Sequence, residues 1–573
     1  MTDRSQTDAE TEHRSTASER LTDLNRRRFL QTAGVAGGAT LLGASAQPVA
    51  AETHWKERRA DDWEQRADQR IAENQMGDIE VVVEDTEGRP VPNAEVSVVM
   101  QAHDYGFGTA VNARVWDQKT DEDDYRQWIP ELFNTAVLEN GHKWKFWENN
   151  TDRADRCTQW LIDRGLYVRG HTCVWGRTGV GAIPNDVQTA IDNNDAQTIK
   201  QRSTEHIQEI ISHYEGQIDE WEVVNEAMHH FAMQKAIYGD RINSEKPWTG
   251  DVLPWTSDQL TSWYQTAANA VDTDTILGVN DFNTLEGQWP YTEGRYPSEI
   301  DSLTNDGIDI DSIGFQSHVG ARTSNPGANN SSPDGRLTYS EINERLANFS
   351  EYDADLKITE FDMYNGSDWS GQEERADLMY TWMKTAYGHP QVTDFIIWGF
   401  WDGRHWENEA PLFYEDWSKK PAFDVWDNLV FNEWWTDESG TADGSGVYTT
   451  SAYLGSHEVT AFADGTSNTT TVDITDPDGT TTVTVTVDAE TTPTPTETTP
   501  QGPPAIDGTV PQDLDGDGTY GDFNANGQID FPDVNRFFQN SDTDPIQTNA
   551  QYFDFTGEGQ INLQDVMALF GRV

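Results

Sequence analysis

The sequence predicts an α/β protein built on a (β/α)8 TIM barrel, with a small β-sandwich and a small helical module behind it. Two observations carry that expectation. From about residue 103, short apolar strands alternate with helical stretches, and eight such strands can be counted before residue 435. In seven of them the apolar run ends in polar or reactive side chains, the pattern of a barrel whose strand ends converge on one cleft. An open doubly wound sheet is the competing architecture, but no Gly-rich phosphate fingerprint follows the first strand.

Residues 25–51, "NRRRFLQTAGVAGGATLLGASAQPVAA", place Arg26 and Arg27 before Phe29, Leu30 and a weakly apolar run of small residues. This resembles a twin-arginine export signal over residues 1–51, with cleavage expected between Ala46 and Glu52. A membrane span fits poorly, because Gly, Ala and Thr dominate the run. The expectation is a secreted protein, exported folded and without a membrane span in its mature form. Residues 52–75 are charged and helix-prone, with Trp55, Trp63 and Ile71 placed to dock on a later domain. "GDIEVVVEDTEGRPVPNAEVSVVM" then reads as two alternating strands about a turn, a β-element completing a 52–102 segment.

The eight barrel strands are expected at 105–111, 134–139, 166–175, 220–226, 275–281, 312–318, 356–360 and 395–400. Their polar ends are Glu139 with Asn140, His171, Asn225 with Glu226, Asn280 with Asp281, Gln316 with His318, Glu360, and Trp398. Residues 436–488 change to Thr/Val-rich alternation and read as a separate small β-sandwich. A Thr/Pro tract over 489–511 is an extended linker, and an acidic module occupies 512–573.

Composition narrows the function. The 573 residues carry 99 Asp plus Glu against 39 Lys plus Arg, a formal charge of -60 spread along the whole chain. Such a surface stays hydrated where salt shortens electrostatic range to roughly 3 Å at 1 M, so adaptation to high salt is expected. Nothing forms a basic stripe, which argues against a nucleic-acid partner. Cys157 and Cys173 are too few for a disulfide framework, leaving one bridge or two buried thiols.

Glu226 closes the fourth strand and Glu360 the seventh, on opposite sides of an eight-stranded barrel and facing one cleft. Hydrolysis of a glycosidic bond needs a proton donor on the leaving oxygen and a second carboxylate beneath the anomeric carbon. A separation of ~5–5.5 Å gives retention through a glycosyl-enzyme. Two close carboxyls raise each other's proton affinity, which keeps one protonated near neutral pH.

The ordered segments "LENGHKW", "RGHTCVW", "WEVVNEAM", "GFQSHV", "ITEFDMY" and "IIWGFWDGRHW" resemble glycoside hydrolase family 10 over residues 103–435. That family consists of retaining (β/α)8 enzymes, chiefly endo-β-1,4-xylanases. The resemblance implies Glu226 as general acid/base, Glu360 as nucleophile, Asn225 on the sugar 2-hydroxyl, and His318 orienting Glu360 with Asp362 behind it. It further implies Glu139, Asn140 and Lys143 as glycone-side ligands, His171, Trp175 and Gln316 beside them, and Trp398 and Trp406 as faces for pyranose rings. No cofactor is implied for catalysis. The substrate expected is xylan, with another β-1,4-glycan such as mixed-linkage glucan, or a non-catalytic glycan-binding role, as alternatives. Three departures touch the sugar subsites: His142 where the family usually has Met, Gly176 where it commonly has His, and "FWDGRHW" near the last strand.

The C-terminal module holds two loops 32 residues apart. "DFNANGQIDFPD" offers Asp522, Asn524, Asn526, Asp530 and Asp533; "DFTGEGQINLQD" offers Asp554, Thr556, Glu558, Asn562 and Asp565. Oxygen donors at positions 1, 3 and 5, Gly at 6 and an acid at 12 suit structural Ca2+. The duplication resembles a dockerin type I module, which implies a cohesin-like partner or attachment at a cell surface. "DLDGDG" (513–518) is a partial third match and is not counted as a site. A monomer is expected.

Overall fold

The computed structural model describes residues 62–242, 251–271, 275–286, 294–320, 337–364, 369–488 and 502–573. The export signal and the linker segment 489–501 lie outside the described residues. The chain forms two compact units, Met1–Glu490 and Thr491–Val573.

Within the first unit, β1 (Met76–Asp85) and β2 (Glu95–His103) precede the barrel. The barrel strands are β3 (Gly106–Val111), β4 (Thr135–Leu138), β5 (Tyr167–Trp175), β6 (Glu220–Asn225), β7 (Ile276–Asp281), β8 (Ser312–Phe315), β10 (Asp355–Tyr364) and β11 (Val392–Ile397). Neighbours pair in parallel, and β11 pairs with both β10 and β3, closing the sheet. Each expected strand corresponds to one of these, because strands buried on both faces read as unbroken apolar runs. Helices such as Ala196–His213 and Gln372–Tyr387 cover the outside, burying residues such as Ile199, Ile207, Leu378 and Trp382.

One expected strand is interrupted. β8 stops at Phe315, Ser317 takes a left-handed backbone (φ 62°), and the chain resumes as β9 (His318–Gly320). β9 then pairs with β10 through His318 opposite Asp362. That break is a tertiary feature that the run "SIGFQSH" does not announce.

A second correction concerns the domains. The β-element before the barrel and the strands after it are one structure, not two. β12 (Asp437–Thr441), β13 (Val447–Tyr453), β14 (Gly455–Ala463), β15 (Thr466–Ile474) and β16 (Thr480–Val487) make two sheets, ordered β13-β1-β16 and β12-β2-β14-β15. Ile79, Val81 and Val83 of β1 pack with Val96, Val98, Val459, Ile474 and Val485 in a core of their own. Two strands alone cannot bury an apolar face, so the N-terminal pair folds into the later strands. The helix Trp63–Asn74 docks as expected: Trp63, Ala67 and Ile71 join the barrel core, and Asp68 pairs with Lys384. Trp55 lies outside the described residues.

The end of the barrel away from the cleft is closed by buried charges. Arg169 and Lys357 both reach Glu220, at 2.8 Å each, and Lys357 also reaches Asp394 at 2.9 Å. Cys157 and Cys173 are unpaired buried thiols, and burial raises both pKa values. No helix among the described residues is long and apolar enough to cross a membrane.

Candidate active site

β6 delivers Asn225 from its last position and Glu226 from the next. Glu226 has a left-handed backbone (φ 60°), a costly conformation for a residue with a Cβ and one found at functional sites. Its N–H donates to Asn280 O on β7 at 2.9 Å, holding the turn. Glu226 is 6% exposed. Trp175 Nε1 donates to its Oε2 at 2.7 Å, Gln316 Nε2 to its Oε1 at 3.1 Å, and His230 Nε2 lies 3.2 Å from Oε2. Burial, with the charges of Asp281 and Glu360, pushes the Glu226 pKa up to about 7.

Glu360 has the opposite balance. Asn280 Nδ2 donates to its Oε1 at 2.9 Å, while Thr359 Oγ1 donates to Asn280 Oδ1 at 2.6 Å and sets the amide's orientation. His318 Nε2 stands 3.4 Å from Glu360 Oε2, and its Nδ1 stands 3.0 Å from Asp362 Oδ1. Burial opposes charge on both partners, but the two carboxylates outweigh it and raise the His318 pKa well above its ordinary value. The imidazolium answers in kind. Burial alone would raise Glu360, yet the contact with His318 and the charges of His171 and Lys143 bring its pKa down. Asp362 is fully buried, accepts from Trp406 Nε1 at 2.5 Å, and is also lowered against the effect of burial, chiefly by His318.

The expected sugar ligands gather around this pair. Gln316 Nε2 also reaches Asn225 Oδ1 at 3.0 Å, leaving Gln316 Oε1 buried without a protein partner. His171 Nδ1 is 3.0 Å from Glu222, and its Nε2 is likewise buried without one. Lys143 Nζ sits 4.5 Å from the Trp175 ring and 5.7 Å from that of Trp398. Glu139 accepts from Asn140 Nδ2 at 3.0 Å and from Asn112 Nδ2 at 2.7 Å. The two tryptophans differ: Trp398 is 8% exposed with its edge against His171, whereas Trp406 is 45% exposed and offers a ring to the cleft.

Several participants were not singled out from sequence as site residues. Asn280 and Asp281 had been noted only as a polar strand end, yet they hold Glu360 and raise Glu226. His229 Nδ1 reaches Asp281 at 2.6 Å, and Arg404 Nη2 donates to Glu139 at 3.0 Å. The departures also resolve. His142 is fully buried, contacts Thr158 Oγ1 at 3.0 Å, and is kept neutral by burial, so it is a core residue. Gly176 is required sterically, since a Cβ there would lie 2.1 Å from His230 O.

The profile of Glycosyl hydrolase family 10 matches residues 96–428, more than half of the chain. The chain belongs to that family. Curated relatives include the anti-sigma-I factor RsgI6 of Acetivibrio thermocellus, 25% identical over 70% of this chain and 47% of its own length. Endo-1,4-beta-xylanase B of Neocallimastix patriciarum is 26% identical over 52% of this chain and 32% of its own length. Endo-1,4-beta-xylanase B of Thermotoga neapolitana is 24% identical over 56% and 83%. The chain thus spans less than half the length of the first two. Among solved structures, native xylanase 10B from Thermotoga maritima aligns at TM-score 0.46 and 21% identity, over 57% of this chain and 95% of that one.

In the C-terminal unit, both expected loops fold around their carboxylates. Asp522 accepts from Asn526 N (3.1 Å) and Gly527 N (2.8 Å), and Asp533 from Asn524 N and Asp530 N at 2.9 Å each. In the second loop, Asp554 accepts from Gly557 N (2.7 Å) and Gly559 N (2.6 Å), while Asp565 accepts from Thr556 N (3.1 Å) and Asn562 N (2.8 Å). Glu558 accepts from Asn562 Nδ2. Asp530 Oδ1 is buried without a protein partner, and burial together with Asp530 raises the Asp533 pKa. An all-oxygen donor set with crowded carboxylates suits a hard divalent cation. Asp513, Asp515 and Asp517, not counted from sequence, also bring oxygens within 4.8 Å of one another.

Proposed function

We propose that this chain is a retaining endo-β-1,4-xylanase, exported through the twin-arginine route and working in concentrated salt. The observation that carries the reading is the split in proton affinity between Glu226, raised to about 7, and Glu360, lowered by His318. One carboxyl holds a proton at neutral pH while the other stays charged, the division of labour that double displacement needs.

In the first step Glu226 gives its proton to the leaving oxygen as Glu360 attacks the anomeric carbon. Asn280 and the His318 imidazolium hold the nucleophile ionised and oriented, and Asn225 takes the 2-hydroxyl. Once the leaving sugar has gone, Glu226 is a carboxylate and draws a proton from water, which displaces Glu360. Glu139, Asn140, Lys143, His171, Gln316 and Trp406 serve the glycone sugars, with Trp175 and Trp398 as walls. The altered loop at Gly176 and the pairing of Arg404 with Glu139 reshape the subsites. They favour a second reading, in which the same pair cuts another β-1,4-glycan such as mixed-linkage glucan.

Asp522, Asn524, Asn526, Asp530 and Asp533, with Asp554, Thr556, Glu558, Asn562 and Asp565, would hold Ca2+ that braces the C-terminal unit. That unit would dock a cohesin-like partner or a cell surface. Chelation is expected to lower the unit's melting temperature reversibly. At 100-fold excess over Kd, bound ion contributes about 2.7 kcal/mol per site.

The main test is reducing-sugar release from xylan, mixed-linkage glucan and cellulose in molar salt, with Glu360→Ala beside the native chain. Release from xylan that vanishes in the variant supports the reading. Release from glucan alone keeps the mechanism and changes the substrate. A folded protein that cuts none of them is a glycan-binding protein.

A further inference from the structure

The chain carries 99 acids against 39 bases, and most arginines among the described residues pair with a carboxylate, as Arg169, Arg202 and Arg375 do. The other cations of the cleft are committed. Arg404 is bonded to Glu139, Lys143 is buried between Trp175 and Trp398, and His318 lies between Glu360 and Asp362. Arg177 differs from them. It is exposed, its guanidinium carbon lies 5.4 Å from the centroid of the Trp175 ring, and no carboxylate among the described residues pairs with it.

Its position is built rather than incidental. Trp175 is tied to Glu226 Oε2 through its indole N–H, so the ring under the guanidinium is fixed. Gly176 is pinned against the backbone of His230, where no side chain fits, and Gly176 O accepts from Ala232 N at 3.3 Å. The residue that follows is therefore presented from a fixed point next to the proton donor. A guanidinium over an aromatic face still has N–H donors to offer, suited to bidentate capture of a carboxylate. Long-range repulsion of an anionic substrate by the acidic surface is screened in concentrated salt, whereas a contact-distance pair is weakened less.

We infer that Arg177 is a specificity residue that receives the carboxylate of a uronate substituent on the glycan bound beside Glu226. This rests on the xylan reading above, because xylans occur with and without such acidic side groups. It adds that this site discriminates between them.

The experiment compares glucuronoxylan with the same polymer after chemical reduction of its uronate carboxyls to alcohols. Both are digested by the full chain, by Arg177→Gln and by Arg177→Glu. The readout is the ratio of kcat/KM on the native polymer to kcat/KM on the reduced one, with mass analysis of uronate-bearing products. Arg177→Gln is expected to lower the ratio about fivefold, the size of one partly exposed guanidinium–carboxylate contact, and Arg177→Glu to lower it further. If the native chain cuts both polymers and the ratio stays within about twofold in both variants, the inference is overturned. It is equally overturned if both rates drop together, which would make Arg177 a support for Trp175. Failure of the native chain on both polymers would instead sink the xylan reading, and this inference with it.

Discussion

Glu220 opens β6 and Glu226 directly follows its last residue; both are buried, and their proton affinities move in opposite directions. At the closed end, burial would raise Glu220, but Arg169 and Lys357 outweigh it and hold its pKa at about 2. At the open end, burial and the charges of Asp281 and Glu360 push Glu226 to about 7. Burial is common to both; what differs is the sign of the neighbouring charge. The closed end is balanced by opposite charge, and the open end is left unbalanced, the condition that the proposed proton donor requires.

The largest effect should come from Glu360→Ala. If Glu360 is the nucleophile as proposed, its loss should cost ~10⁴-fold or more in kcat, about 5 kcal/mol, with thermal stability unchanged or raised. Steady-state rates beside a melting curve would show it. A variant that kept its rate would end the assignment of roles.

Next in size is Glu220→Ala, which leaves Arg169 and Lys357 buried without their shared carboxylate. A loss of about 3–5 kcal/mol in unfolding free energy is expected, with specific activity of the folded fraction largely retained. Denaturant titration in molar salt measures the first, and active-site-normalised rates measure the second. Loss of activity without loss of stability would reverse the division between the two ends.

The pH dependence separates the ends again. The proposed mechanism needs protonated Glu226, so kcat/KM should fall about tenfold per unit as pH rises past about 7. With its folded pKa raised, Glu226 contributes stability that is present below its unfolded value near 4.5 and is lost as pH rises through about 7. Glu220 does the reverse. Its contribution is present above 4.5 and is lost as pH falls through about 2. A Glu226→Gln chain should therefore be more stable than the native one at pH 8, by calorimetry.

The smallest effect expected is that of Arg404→Ala, which frees Glu139 at the rim of the cleft. The pair is partly exposed, so its loss should raise KM by less than tenfold, about 1 kcal/mol or below, with kcat little moved. A large fall in kcat would place Arg404 nearer the reacting atoms than its bond to Glu139 suggests.

Much of this was legible in the amino-acid order. Eight apolar runs buried on both faces announce barrel strands, because a two-sided environment leaves no room for alternation. Asn225, Glu226 and Glu360 follow from where those runs end. The two C-terminal loops follow from oxygen donors at fixed offsets around a glycine. What the order did not disclose is what neighbours along the chain cannot determine. The β-element at 76–103 looked self-contained, but its apolar face has no cover until strands some 340 residues later arrive. His318 reaches Glu360 and Asp362 only because β8 breaks at Ser317. In sequence, Glu220 and Glu226 are two acids of one short run, EWEVVNE. Their opposite titration was decided by tertiary structure alone, since a buried carboxyl takes its proton affinity from charges that other strands bring to it.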